Sequence, residues 1–320
     1  MSFNKFLIFI LIFGVYSSYS QQDKSIESPK FTLKMNMNRN TLTNYKFIEV
    51  SDVTRILSDS STRKFKRESI FYYTLKVPNT AEEGFSTFEI SIDSLNYKFT
   101  EDNEVYEYNS QDEKPSPVSF EDLKNTVVPL GKEYNITYSP YGEIVKIEGE
   151  SLDWLKNYVV VESKGTLDSL QTHLWLDGIS KSRLASISDA KKISFPISQV
   201  CIDSAWKSFM EFQVMNITCL DSSKAKIVNI NNGVFRIMGE STKFNTIKDP
   251  VRFYGFKDFL VNITKAEGVG KYDMVFGPRG LMRSLNLNYE IKFTGKVKQE
   301  VFNDFIKTKQ SWEMINQYKY

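Results

Sequence analysis

The sequence predicts a mainly β protein with a few helices: two related curved antiparallel β halves, half-barrel-like, joined by a short helical segment. Three observations predict it. Apolar and polar residues alternate at period two through most of the chain, the mark of strands with one dry face. Helical periodicity is confined to short stretches, most of them between residues 150 and 193. One hairpin-like phrase is written twice, as YNITYSPYGEIVKI from Tyr134 and as YDMVFGPRGLMRSL from Tyr272.

The first twenty residues stand apart. Lys5 precedes the apolar run FLIFILIF, and Ser18-Tyr19-Ser20 supplies the small residues read by a signal peptidase, so cleavage is expected before Gln21. The run is too short for a bilayer, which takes about 20 residues, and no later segment is long and apolar enough to be a membrane helix. Residues 21–29 then read as a linker, and the expected location is the periplasm or the exterior. The 320 residues carry 41 basic against 39 acidic side chains, 41% hydrophobic and 14% aromatic content. That is a globular composition without the basic footprint of a nucleic-acid binder. The basic run RKFKR, Arg63–Arg67, reads as the solvated start of a strand.

The N-terminal half is expected over residues 30–149. Phe65, Ser69, Phe71, Tyr73, Leu75 and Val77 share one face of a long strand. In FEISIDSLNYKF the apolar phase switches between Ile92 and Leu95, which predicts a bulge or tight turn at Asp93-Ser94. SFEDLKNTV offers Ser119 as an N-cap with Asp122 three positions on. The first repeated hairpin follows, its corner at Ser139-Pro140-Tyr141-Gly142, with Pro fixing φ and Gly taking the left-handed position.

The helical connector, 150–193, contains SLDWLKNYV with Leu152, Leu155 and Val159 on one face. It also contains TLDSLQTHLWLDG, with Leu167, Leu170 and Leu174 as a stripe and Gly178 as a C-cap. Residues 180–192 are weakly helical. In the C-terminal half, 194–320, Asn232-Gly233 is the strongest hairpin signal. The second repeated hairpin turns at Gly277-Pro278-Arg279-Gly280, and Ile306, Thr308, Gln310, Trp312 and Met314 predict a final strand. Agreement of the two hairpins over about nine positions exceeds what turn chemistry demands and points to duplication, with two unrelated hairpins sharing a common turn as the alternative.

Three stretches carry a family resemblance: LGKEYNITYSPYGEIVKIEG, FPISQVCIDSAW and GKYDMVFGPRGLMRSL. Through them the chain, from about residue 30 onward, resembles an uncharacterised family of exported Gram-negative proteins. Asp203-Ser204-Ala205-Trp206 is similar to that family's entry to its second sheet, although the family usually has Gly where this chain has Ile202. More distantly the pattern resembles the periplasmic lipoprotein carriers, which implies an incomplete barrel with acyl chains held inside.

The chemistry is sparse. His173 is the single histidine, so a histidine-based triad or metal cluster has almost nothing to draw on. On its apolar helix it reads as a core or boundary residue. Gly268-Val269-Gly270 precedes a strand and is no dinucleotide loop. No metal site or cofactor is expected. Cys201 and Cys219, in an oxidising compartment, read as a disulfide, with two unbridged thiols as the alternative. Asn-Ile-Thr occurs at Asn135, Asn216 and Asn262, each inside an expected strand. What remains is the aromatic load. Phe71, Tyr73, Tyr97, Tyr138, Phe253 and Phe276 fall on dry strand faces, and a curled sheet leaves a concave apolar surface there. The resulting expectation is a non-enzymatic exported protein binding a lipid, acyl chain or other apolar ligand, with those six residues lining the site. The rival expectation is an assembly partner of another envelope protein, without a small-molecule ligand.

Overall fold

A computed structural model of the chain describes residues 29–34, 39–78, 85–113, 120–139, 142–162, 167, 169–247, 249–256, 259–277 and 281–320. The predicted signal peptide, Ser119 and the tips of both repeated turns lie outside the described residues.

The chain builds one antiparallel sheet of 13 strands. In the first part these are β1 (Thr41–Ile56), β2 (Thr62–Val77), β3 (Ser86–Glu101), β4 (Glu104–Asn109), β5 (Glu133–Tyr138) and β6 (Ile144–Glu148). In the second they are β7 (Ala205–Val214), β8 (Ile217–Asn231), β9 (Val234–Thr246), β10 (Val251–Arg252), β11 (Leu260–Phe276), β12 (Met282–Val297) and β13 (Glu300–Lys319). The order across the sheet is β6-β5-β3-β2-β1-β13-β12-β11-β9-β8-β7, with β4 beside β3 and β10 beside β11. The strands before and after the helices therefore form one continuous sheet, joined at its middle by β1 and β13. Helices α1 (Glu121–Thr126), α2 (Glu150–Asn157), α3 (Ser169–Gly178) and α4 (Lys181–Ser188) complete the fold, with a π-helical turn at Tyr158–Glu162. The segment containing α2, α3 and α4 runs from one edge strand, β6, to the other, β7.

Local sequence rules hold where they were strongest. The bulge at Asp93 is present, since Tyr72 pairs with Ser94 and Tyr73 with Ile92. Asn232 and Gly233 both take positive φ, +48° and +74°, as a two-residue hairpin of the favoured hand requires. The corner at 203–206 forms with Ile202 in place, because Asp203 adopts the left-handed conformation at φ +62°. The two repeated hairpins do not occupy matching places: β5 and β6 close one edge, whereas β11 and β12 lie inside the sheet.

One eight-residue helix shows how strongly the sheet curls. The Arg183 guanidinium of α4 lies 5.4 Å over the Phe71 ring of β2, and Ser188 exchanges a 2.8 Å hydrogen bond with Tyr134 of β5. Trp312 of β13 donates to the Ile187 carbonyl at 2.8 Å, and the Gln213 amide of β7 donates to Ser186 at 2.9 Å. Strands β5 and β7 are nine steps apart, about 43 Å on a flat sheet at ~4.8 Å per step. A helix of eight residues is about 12 Å long. It touches both only because the sheet wraps around it. Glycines help: the Tyr289 ring lies on Gly270 and the Phe302 ring on Gly295, where any side chain would collide with them.

The middle of the sheet buries charge. Arg55 of β1, wholly buried, holds Asp304 of β13 through two hydrogen bonds of 2.8 Å and donates to the Tyr254 carbonyl. The rings of Phe253 and Phe302 lie 4.9 Å from its guanidinium, and those of Phe256 and Phe65 at 5.0 and 5.3 Å. Arg67 was expected in a solvated run, but it is fully buried. It pairs with Glu49 at 2.9 Å and Asp122 at 2.8 Å and donates to Thr126. Burial opposes its charge, while Asp122 and Glu49 more than restore it and raise its pKa. The capping role expected of Asp122 is not seen, because its carboxylate serves Arg67 and Tyr97 instead.

The expected disulfide is absent: Cys201 and Cys219 are not bridged. The Asp203 amide bonds the Ile227 carbonyl, which places Cys201 near that end of β8. Cys219 is eight residues away along the same strand, about 26 Å at ~3.3 Å per residue. A bridge needs Cα atoms within about 7 Å.

Two predictions follow from these contacts. Reducing agent should leave the thermal midpoint unchanged in a melting experiment. Arg55→Met should cost about 3–5 kcal/mol in urea denaturation by stranding a buried carboxylate, and pairing it with Asp304→Leu should restore most of the loss.

Candidate binding cleft where the sheet edges meet

The six predicted site residues are all buried, Phe71 fully and Tyr97 at 3% exposure. They fall into three groups. Tyr73 and Tyr138 lie behind the segment that leaves α4: the Tyr138 hydroxyl donates to Asp189 at 2.8 Å and accepts from the Ala190 amide, and Tyr73 stacks on Tyr45 at 5.2 Å. Phe276 reaches the same segment through an edge contact with Phe195 at 5.0 Å. Phe71 and Tyr97 flank the Arg67 cluster, and Phe253 belongs to the rings around Arg55. Helices and loops thus cover the aromatic faces that the sequence left open.

An accessible cleft of ≈ 680 Å³ lies where the two sheet edges converge. One wall comes from Gly142 and Glu143, which lead into β6, and from its first residue, Ile144. The other comes from β7, β8 and β9, including Lys207, Phe209, Met210, Leu220 and Lys243. The floor is the end of α4 and the irregular stretch after it, with Asp189, Lys191, Lys192 and Ile193. Phe209 and Leu220 are 53% and 37% exposed, so the β7–β8 wall presents apolar surface to solvent.

Local rules explain why the cleft stays defined. Both edge strands present unpaired backbone groups, and side chains of the connector take them up. Lys181 and Lys191 donate to the carbonyls of Ile144 and Gly142, each at 3.1 Å. On the opposite edge the Ser194 amide donates to the Phe209 carbonyl at 2.9 Å, and the Phe209 amide donates back to the Ser194 hydroxyl at 2.7 Å. Gly142, at φ +76°, makes the corner that brings its carbonyl to Lys191.

Lys192 is the electrostatic singularity of the floor. Its amine donates to the carbonyls of Ala185 and Ser186 at 2.6 and 2.7 Å, capping the C-terminal end of α4, and lies 4.4 Å over the Trp312 ring. A cation is favoured at that helix end. Burial still pushes its pKa down to about 7, and that of Lys191 to about 8. Nothing in the periodicity marked these lysines; the adjacent pair just past the end of a weakly helical stretch was the only signal.

His173 is half-buried on α3, one turn before Asp177. Asn216 lies in the β7–β8 turn rather than in a strand, its amide donating to the Arg252 carbonyl at 3.0 Å. Among the described residues no group of three His, Cys, Asp or Glu could hold a metal ion, and no helix is long and apolar enough to cross a membrane.

No family model and no curated protein matches the chain. Among solved structures it is similar to lipovitellin, in a structure describing lipid–protein interactions, at 8% identity and TM-score 0.42 over 88% of this chain. It spans about a quarter of that chain, 26%. It is also similar to an outer membrane channel from Pseudomonas putida F1, at 6% identity and TM-score 0.25 over 90% of this chain and 100% of the other. OpdQ from Pseudomonas aeruginosa gives 6% identity and TM-score 0.19 over 86% and 99%. These scores are too low to carry an argument about function.

The depressed lysine pKa has a measurable sign. Lys192 binds its proton less tightly folded, at about 7, than at its ordinary 10.5. The unfolded chain therefore holds more protons between those values, and stability rises with pH across that window. Urea midpoints measured from pH 7 to pH 10 should rise for the native chain, and Lys192→Met should flatten the rise.

Proposed function

We propose that the protein is an exported, non-enzymatic carrier that binds an apolar ligand, a lipid or acyl chain, in the cleft between its sheet edges. The observation that carries this reading is the cleft itself. It has the volume of a small-molecule site, typically 300–1,000 Å³, and a partly exposed apolar wall at Phe209 and Leu220. An acyl chain gains about 0.8 kcal/mol per buried CH₂, so a wall of this kind binds lipid without any dedicated polar motif. Tyr73, Tyr138 and Phe276 form the layer behind the floor and set its shape. Export follows from the N-terminal segment, with the mature chain beginning at Gln21. His173 takes no part.

A second reading, an assembly partner of another envelope protein, draws on a different observation. Trp154, Tyr158 and Val161, at helical spacing from α2 into the π-helical turn, form an exposed apolar stripe opposite the buried Leu152, Leu155 and Val159. Soluble proteins seldom leave such a stripe uncovered.

Gentle purification from the export compartment, organic extraction and lipid mass spectrometry test the first reading. Stoichiometric lipid is expected, together with a mature N-terminus at Gln21. Binding of a fluorescent fatty acid should weaken roughly tenfold or more in Phe209→Asp, about 1.4 kcal/mol, and stay unchanged in His173→Ala. An empty extract from a folded monomer that also ignores the fluorescent probe overturns the carrier reading.

A further inference from the structure

Beyond the cleft the two ends of the sheet are finished differently. Along β7 the connector continues to answer the backbone, as Ser186 accepts from the Gln213 amide. Along β6, among the described residues, side chains of the connector reach only the cleft end, Lys191 at Gly142 and Lys181 at Ile144. No strand lies beside the remainder of that edge.

Strand alternation says which groups are left over. Glu133 of β5 exchanges both its backbone groups with the Ser151 hydroxyl, donating at 3.2 Å and accepting at 2.7 Å. At the other end of β5 the Ser139 amide donates to the Glu143 carbonyl at 2.8 Å. The odd-numbered residues of β5 therefore turn their backbone toward β6. Asn135 opposes Glu148 and Thr137 opposes Lys146, so these two β6 residues spend their amides and carbonyls on β5. Ile147 lies between them, opposite Ile136, and points its amide and carbonyl away from the sheet.

An exposed edge is ordinarily blunted by a charge that repels a second strand. Strand β6 carries Lys146, 60% exposed, but Glu148 stands two positions on, 44% exposed and 2.5 Å from it on the same face. That spacing turns repulsion into attraction. When two copies of β6 run antiparallel about a two-fold axis through Ile147, each Lys146 falls directly opposite Glu148 of the second copy. The two Ile147 residues meet on the axis as a hydrogen-bonded pair, each amide to the other's carbonyl, with their apolar side chains adjacent. An axis one residue earlier would set Lys146 against Lys146 and oppose backbone groups already used by β5.

We propose that β6 is a homodimerisation edge, which joins two copies of this chain into one continuous antiparallel sheet by isologous pairing about Ile147. The strand is five residues long and its ion pairs are exposed, so the dimer is weak and loosens as salt is added. Lys146, Ile147 and Glu148 do not line the cleft, so the pairing stands apart from ligand binding.

Sedimentation velocity over a concentration series tests the edge. The native chain should pass from monomer to dimer as its concentration rises. Glu148→Lys sets Lys against Lys at both crossings and should weaken the dimer about tenfold or more. Lys146→Glu sets Glu against Glu and should do the same. Mixing these two variants should restore a dimer, now heterotypic, because Lys again opposes Glu at each crossing. The double exchange, Lys146→Glu with Glu148→Lys, should dimerise by itself, which separates loss of pairing from loss of folding. A native chain that stays monomeric at every concentration overturns the proposal, as does a dimer indifferent to both reversals or a mixture that does not rescue them. An open-ended series of oligomers also overturns it, since that is the mark of head-to-tail pairing between β6 and β7.

Discussion

The structure depends on the pairing of β1 with β13. Ser51 and Thr308, 257 residues apart, face each other at 3.0 Å across that seam, and Tyr45 reaches beyond it to the Met282 carbonyl at 2.7 Å. Without this ladder the chain is two separate half sheets, each too open to enclose the helices. With it, eleven strands follow one another without a break and can wrap the connector. Arg55 and Asp304 sit on the same seam, so its register is fixed by charge as well as by backbone hydrogen bonds. A shift of one residue would turn both ionised groups, and the aromatic rings beside them, to the opposite face.

Burying that much charge is costly unless it balances, and it does. Arg67 and Arg183 stand against Glu49 and Asp122 in one cluster, while Arg55 stands against Asp304 in another. Arg55 and Asp304 need only β1 and β13, whereas the Arg67 cluster draws Asp122 from α1 and Arg183 from α4 and is complete only when those helices are seated inside the curl. Lys192 adds a further constraint from the cleft side. It caps α4 and leans on Trp312, which itself donates to α4. Core polarity and cleft polarity thus meet on one short helix.

Much of the secondary structure was legible in the sequence, and much of the tertiary structure was not. Period two, the phase change at Asp93 and the Asn232-Gly233 turn are local properties, and they appear where expected. Strand order is non-local: nothing in the residues of β1 announces β13 as its neighbour. The repeated hairpins misled on this point, because similar turn chemistry served an edge in one case and the sheet interior in the other. Arg67 was legible after all, since period two places it on the dry face between Phe65 and Ser69; a charged residue there signals a buried partner. The six aromatic residues were correctly read as facing inward, but sequence periodicity does not say whether the inward face meets a ligand or another part of the chain. Here α4 and the stretch after it occupy that space, and the accessible apolar surface moves to the edges.

The seam also dictates a timetable. A ribosome makes β1 long before β13, so the growing chain carries the whole sixteen-residue flank of its first strand, with every backbone amide and carbonyl on that side unanswered, until the last strand is made. Such flanks are templates for pairing with other chains. The contacts that bury them join the first and last strands of the sheet, and contacts of such separation form late because the loop they close is long. Its survival between synthesis and closure therefore rests on whatever shields that flank, a requirement that ends when the ladder zips shut.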